Sequence, residues 1–434
     1  MNRTVLRGAQ VITMSPTRPD AERVDIAVEG DQVIDCGERV DDTDAETVDL
    51  PGRVIMPGLV NAHLHTWQSA LRLAGADWTL LDYLRHTHGG VADQFTPDDV
   101  YIGNLAGALN QINCGTTMLG DWCHNNPTPE HTDAAIEGLE RSGIRAVFLH
   151  GAPRRDPDVT HPLAEVDRLL DRPGPARGSL TVGMAIAGPQ YSAPDVAVAD
   201  LRAAAERGLV ASMHQSGGQP GAGWEAVRAA GLFGPRTNIV HGAGLTDDWF
   251  GRLIAAGVSF TVTPESELGH GHGVPITGHL LRHCAAPSLG TDTDTAVAGE
   301  ILAGARIALA HQRGLDHERH RQLTGAIAPS SSVTSKQALA WATVEGARAL
   351  GLDDRIGRIE PGMQADLVVI DTRPLNLWPA RDPIAAALHA GIVNIEAVMI
   401  AGRWRKRDHS LIEADLEDVR SRLLESGERL VPTR

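Results

Sequence analysis

Two histidines one residue apart, His63-Leu-His65, close an apolar run that starts at Val54 and passes through the Pro57-Gly58 turn and Leu59-Val60-Asn61-Ala62. Residues two apart on a strand point to the same face. Both imidazoles can therefore aim at one point beyond the strand end, where a divalent metal takes them as nitrogen ligands. A lone His-x-His carries little weight, but three more residues end or follow strand-like runs in a matching order. His214 ends Leu209-Val-Ala-Ser-Met, His241 ends Asn238-Ile-Val, and Asp292 follows Pro287-Ser-Leu-Gly-Thr. Three imidazoles plus one carboxylate suit Zn2+ or Fe2+ and leave a coordination position for water. The metal moves the pKa of that water toward neutrality, making hydroxide available at pH 7. Asp292 beside the water can both ligate and take its proton, and His241 can polarise the group under attack.

Such a set needs strands whose ends meet. From residue 55, apolar strand-like runs alternate with Ala/Leu/Arg-rich helical stretches: Thr117–Gly120, Ala146–His150, Thr181–Ala187, Val210–His214, Asn238–His241, Ser259–Thr263 and Ala286–Gly290, with helical runs such as Val196–Arg207 and Trp249–Ala256 between them. With the strand before His63 that makes eight, the pattern of a (β/α)8 TIM barrel, which gathers C-terminal strand ends at one mouth. Open doubly wound sheets share the alternation. Residues 4 to about 50 read instead as short strands, with a hairpin turn at Gly30-Asp31, and β texture returns after a helix around Gln337–Ala349. The expected organisation is α/β: residues 1–55 and 353–412 together build a small β-sandwich domain, 56–352 form the barrel, and 413–434 hold a charged surface helix.

The bulk composition narrows the partners. The chain has 434 residues, more than one ordinary core holds, with 42% hydrophobic and 22% charged residues. A formal net charge of −16 opposes binding to nucleic acid or an anionic membrane, and 4% aromatic residues give no stacking platform for bases. Cys36, Cys114, Cys123 and Cys284 have no paired spacing, which fits reduced thiols, and Cys123 reads as structural. No secretory leader or stretch of 18 apolar residues is visible, so a cytoplasmic protein is expected. A zinc-dependent nucleic-acid deaminase of the HxE…PCxxC type is excluded, because no such cysteine pair exists.

At this point the sequence resembles the amidohydrolase superfamily, within it the branch of cytosine deaminase, adenosylhomocysteine deaminase and triazine hydrolase. Pro57-Gly-Leu-Val-Asn-Ala-His63-Leu-His65 is similar to that branch's opening metal motif, Val240-His241-Gly-Ala-Gly-Leu-Thr to its sixth-strand histidine, and Gly290-Thr-Asp292 to its closing motif. Gly357-Arg-Ile-Glu-Pro-Gly-Met-Gln-Ala-Asp-Leu-Val-Val is similar to its C-terminal β-domain signature. The resemblance covers nearly the whole chain. It implies one divalent metal per chain, Zn2+ ahead of Fe2+, held by His63, His65, His214 and Asp292, with His241 beside substrate and hydroxide. It implies a homo-oligomer, dimer or larger. The activity expected is a metal-dependent hydrolase acting on a C–N bond of a small nitrogen heterocycle, foremost an aminohydrolase (deaminase) using metal-bound hydroxide. The alternative is hydrolysis of a cyclic amide, or of a triazine-type ring with a different leaving group. A metal-free relative that only binds partners is opposed by the intact ligand set.

One departure stands out. Deaminases of this branch usually carry a Glu three residues after the fifth-strand histidine, which passes a proton to the ring nitrogen; here that place is Gly217. Either another group supplies the proton or the substrate does not need it. Replacements are sought in Thr263-Pro-Glu265-Ser-Glu267-Leu-Gly-His270-Gly-His272-Gly, read as a Gly-rich loop after the seventh strand. Glu265, Glu267 and His270 are the expected substrate contacts there, with Gln190 after the fourth strand and Trp67 and Gln68 past the metal motif. Trp78 reads as a core residue.

Overall fold

The computed structural model describes residues 3–153, 156–172, 179–412 and 414–431. Residues 413 and 432–434 of the C-terminal segment and residues 1–2 lie outside the described residues. Eight strands, Leu59–Leu64, Thr116–Cys123, Arg145–Gly151, Leu180–Ala185, Ala211–Ser216, Thr237–Ala243, Ser259–Val262 and Ser288–Leu289, form one parallel sheet in which each pairs with the next in sequence. The ring closes through a parallel bridge between Leu64 and Asp292, with His65 N–H donating to Asp292 O (2.7 Å) and Asp292 N–H to His63 O (3.0 Å). This is a TIM barrel, and the open-sheet alternative falls away.

Helices return the chain between strands. The Pro97–Asn113 helix shows why its sequence starts there: Thr96 Oγ1 accepts the Asp99 N–H, the Asp99 carboxylate accepts the Thr96 N–H, and Pro97 sits at the first helical position. The outer helices match the expected runs, with Pro194–Glu206 and Asp247–Ala255 where Val196–Arg207 and Trp249–Ala256 were read. Two elements differ from expectation. The stretch read as one helix over Gln337–Ala349 is two, Ser335–Trp341 and Val344–Ala349. The Ala342 carbonyl between them accepts the Val60 N–H of the first barrel strand (2.8 Å), so a tertiary bond overrides helical propensity. The stretch after the seventh strand is not all loop: Pro264–His270 is a helix with Pro at its start and left-handed Gly271 (φ +80°) after its end.

The remaining strands form a four-stranded sheet from the N-terminal segment and a seven-stranded sheet to which both ends of the chain contribute. The run from Val5 to Thr13 is broken at Gly8 (φ +76°), with Arg3–Arg7 in one sheet and Gln10–Val11 in the other. Gly30 (φ +64°) turns the hairpin between Asp25–Glu29 and Gln32–Gly37 as expected. The two sheets share one apolar core, with Leu6, Ile26 and Val28 from the smaller facing Ile55, Leu367, Val369 and Met399 from the larger, which is sandwich packing. The C-terminal helix Leu416–Leu430 buries Val419 against Ile102, Leu105 and Leu109 of the Pro97–Asn113 helix. Among the described residues no helix is long and apolar enough to cross a membrane, and all four cysteines are free.

Candidate metal centre

The first and last barrel strands carry the two halves of the site, and Asn61 joins them. Its Nδ2 donates to Thr291 Oγ1 (2.7 Å), while its Oδ1 accepts the N–H groups of His63 (3.3 Å) and Thr291 (3.2 Å). Gly290 is required by proximity, since a Cβ there would meet His63 O at 2.7 Å and His63 Cβ at 2.8 Å. Asp292 (φ +65°) and His241 (φ +66°) both hold left-handed backbone without being glycine. Such strain persists where the surrounding structure enforces it and concentrates at functional sites.

His63, His65, His214 and Asp292 converge as the sequence implied. All four are buried, and their ligand atoms lie within 4.8 Å of one another. His63 and His214 bring their Nε2 atoms to 3.2 Å, and Asp292 Oδ1 stands 3.3 Å from His63 Nε2 and 3.6 Å from His65 Nε2. His65 Nδ1–H donates to the Trp122 carbonyl (2.8 Å), which leaves the Nε2 lone pair for the cluster. The Trp122 ring packs against His214 (centroids 4.4 Å, 66°). Asp121 fixes the turn after His65: its oxygens accept the Thr66 N–H (3.3 Å) and Asn104 Nδ2–H (2.9 Å), and burial raises its carboxyl to about 7.

Electrostatics favour the ligating protonation states. Burial, then the neighbouring His63, holds His65 well below the usual histidine range, and burial brings His241 down to about 4, so both rings are neutral. Burial alone would raise Asp292, yet the hydrogen bond from His63 and the electrostatic influence of the His241 and His272 rings carry it well below the usual range. Imidazole nitrogens crowded around an ionised carboxylate, deep in the protein, are a donor set that fits a divalent cation.

Around this cluster the expected contacts divide. Glu267 lies at the centre but behind His241: its Oε1 accepts the Thr263 N–H (2.9 Å) and stands 3.2 Å from His241 Nδ1. Burial raises its carboxyl to about 8. Glu265 is exposed, with Glu300 and Arg306 as charged neighbours, because residues two apart on a helix face nearly opposite ways. Gln190 pins backbone, accepting the Ser216 N–H (2.8 Å) and donating to Gly217 O (2.7 Å). Gln68 is also occupied, donating to Tyr83 Oη (2.7 Å) and accepting from Thr293 Oγ1 (2.5 Å). Trp67 is fully buried, its Nε1–H reaching His124 Nδ1 (3.4 Å), and His270 stacks on Tyr83 (5.6 Å, 27°). Trp78 is half-buried and stacks on His86 rather than in the core (4.9 Å, 30°). Cys123 Sγ donates to Asn126 Oδ1 (3.1 Å), a structural bond.

Sequence reasoning passed over Asn61, Trp122, His124 and Ser266; His272, read with His270 as part of the stretch expected to contact substrate, brings its Nε2 to 3.9 Å from Asp292 Oδ2. Ser266 Oγ–H donates to that same oxygen (2.5 Å). The available signal for Asn61 was a polar residue two before His63, on the same face of an otherwise apolar strand.

The chain is 27% identical over 447 residues to a 5-methylthioadenosine/S-adenosylhomocysteine deaminase of Pelotomaculum thermopropionicum, covering 99% of each chain. It is 25% identical over 443 residues to a 5'-deoxyadenosine deaminase of Methanosarcina mazei, covering 98% of each. In fold it is similar to an adenosine deaminase from Xanthomonas campestris with bound zinc (TM-score 0.83, 21% identity, 99% of each chain). It is similar in the same way to atrazine chlorohydrolase from Arthrobacter aurescens TC1 complexed with zinc (TM-score 0.85, 21% identity, 98% of this chain and 100% of that one). Residues 54–405 match the sequence profile of the Amidohydrolase family, and the chain belongs to that family.

Proposed function

We propose that this protein is a metal-dependent aminohydrolase that cleaves a C–N bond of a small nitrogen heterocycle. The observation that carries the reading is the convergence of His63, His65, His214 and Asp292 within 4.8 Å at the barrel mouth. These four would hold one divalent ion, with Zn2+ the first choice. When bound, the ion would acidify a water and polarise the ring carbon it attacks. Asp292 takes the proton of the attacking water as the new C–O bond forms, then passes it to the leaving amine as the C–N bond breaks. His241, its Nδ1 held against Glu267 and Thr263, uses Nε2 to hydrogen-bond the group under attack. Glu267 is a positioning residue that fixes His241, and the two together stand in for the carboxylate absent at Gly217. The names of the relatives put adenine nucleosides first among substrates.

A second reading, a cyclic amide or a triazine-type ring with another leaving group, is favoured by Gly217 itself. Its carbonyl accepts from both Gln190 and Gln215, so the end of the fifth strand is tied down and offers no acid. Elemental analysis of purified protein, coupled to ammonia release from 5'-methylthioadenosine, S-adenosylhomocysteine, 5'-deoxyadenosine, pyrimidines, pterins and triazines, tests both. One metal per chain with ammonia from any ring supports the first reading. Metal without ammonia moves the assignment to the second, and absence of metal after reconstitution overturns both.

A further inference from the structure

We propose that a second copy of this chain docks, about a two-fold axis, on the groove between the C-terminal helix Leu416–Leu430 and the segment from Ser69 to Trp78. The helix carries two faces that need cover. On one, Leu416, Val419 and Leu423 pack on Ile102, Leu105 and Leu109 of the Pro97–Asn113 helix. On the other, Arg420, Leu424, Glu428 and, just past the helix end, Val431 recur at steps of four, four and three, the spacing of one helix face. This second face borders a groove of about 840 Å³, whose opposite wall is Leu71, Leu73, Ala74 and Trp78. A surface helix has one apolar stripe; apolar residues on a second face ask for a second partner.

The groove is held in shape from both sides. Gly427 brings the helix against Ala70, whose carbonyl oxygen a Cβ would meet at 2.8 Å. Across from it, Leu73 holds left-handed backbone (φ +59°), fixed by its N–H donating to Asp294 O and the Gly75 N–H to Thr295 O (2.9 Å each). That turn presents a leucine to solvent: Leu73 is 52% exposed, and Leu424 on the other wall 61%. Leu81 and Leu84, in the turns that lead from Trp78 to the lining residue His86, are exposed as well. Exposed apolar side chains gathered in one concave patch with charges at its rim mark a protein–protein contact. The polar groups of the wall are already engaged. Ser69 Oγ–H donates to Asp294 Oδ2, and Arg72 pairs with the same carboxylate (2.7 Å each). Neither is free to orient a small ligand, which needs such groups in its pocket.

Charge selects a second copy as the occupant. In a two-fold contact the same patch meets itself, so a residue on one side of the axis faces the residue equally far on the other side. With Leu424 on the axis, two antiparallel helices set Arg420 of one copy against the partner's Glu428, twice, each about 6 Å along the helix from the centre. Both side chains are exposed and, among the described residues, neither has an ion pair within its own chain. Their neighbours Arg422 and Arg429, by contrast, are engaged by Asp98 and Asp99 of the Pro97–Asn113 helix. Each helix then seats between the partner's helix and the partner's Leu73, and both grooves close.

The test is sedimentation velocity of the full-length protein over a concentration series, comparing the parent with three variants. The parent is expected to associate, and Leu424→Glu to raise the dissociation constant at least about thirtyfold, the loss of one central contact. Arg420→Glu places two like-charged pairs across the axis and should weaken association about tenfold. Adding Glu428→Arg to it exchanges the signs and should restore the constant of the parent. A monomeric parent overturns the proposal. So does a Leu424→Glu variant that associates as tightly as the parent, which would put the contact on another face. A double exchange no tighter than Arg420→Glu alone overturns the antiparallel pairing. Should Leu424→Glu not fold, the charge exchange, made at two exposed positions, decides.

Discussion

At the base of the barrel, Arg145 opens the third strand and gives Nε and Nη2 to the two oxygens of Asp366 (2.8 and 3.1 Å) and Nη2 to Gln364 Oε1 (2.9 Å), while Asp366 Oδ1 accepts the Ala401 N–H (2.7 Å). At the mouth, charge and polarity are buried as deeply, but His241 Nε2, Glu267 Oε2 and both nitrogens of His272 have no partner among the described residues. The base is a closed network that ties barrel to sandwich; the mouth is held open in its hydrogen bonding for something the chain does not itself supply. Buried polar networks of the first kind specify a structure, whereas each unmatched group of the second kind calls for a partner such as a bound ion, a ligand or water.

Each end can be broken separately. Asp292→Asn should lower turnover of the ring identified by ammonia release by at least about a thousandfold, within the range for general acid–base groups. The circular dichroism of the metal-free protein should stay unchanged, and activity within about tenfold of the parent would remove Asp292 from the proton role. Arg145→Met should do the reverse. It leaves Asp366 buried and unpaired, at a cost of about 3–5 kcal/mol in denaturant unfolding, with metal content per folded chain unchanged. Replacing Asp366 by Leu as well should recover most of that loss, and a single variant as stable as the parent would show that the base is not the closed network described.

Glu267→Gln lies between the two extremes, with an expected loss of about a hundredfold in kcat. The same variant sharpens the electrostatics. The carboxyl is raised to about 8, so in metal-free protein at neutral pH its proton is on, and it leaves as pH rises through that value. Infrared difference spectra of the metal-free protein should show a protonated carboxyl disappearing near pH 8, absent in Glu267→Gln, and a loaded metal should shift that transition to lower pH. Gln190→Ala should have the smallest effect, about 1 kcal/mol of stability with KM unchanged, because its amide binds backbone; a large rise in KM would return Gln190 to the substrate.

The eight strands were legible because each is a short apolar run between helical stretches, and the ligands because they stand at the ends of those runs. The Glu pair shows where legibility stopped. Glu265 and Glu267 read alike in a Gly-rich segment, and only the helix begun by Pro264 turns one outward and the other inward. The connection from His65 to Thr96 brings Tyr83 to Gln68 and His88 to Trp67, yet its short turns, including the wide-turned helix Leu84–Val91, carry no sustained period to read. The break at Ala342 depends on a bond to Val60, some 280 residues away in sequence, which no local pattern encodes.

The seam between Leu64 and Asp292 has one more consequence, in the order of assembly. The final strand is two residues long, Ser288–Leu289, and what fastens it to the first is largely the backbone of His63, His65 and Asp292 with the Asn61–Thr291 pair, whose members are 230 residues apart in sequence. Contacts of such long range bear the largest loop-closure cost and form late. On the ribosome, a chain whose eighth strand has not yet emerged would have its histidines but not its carboxylate. Capture of the ion would thus report that synthesis has passed the last strand, and a chain truncated before residue 288 should leave the metal in solution.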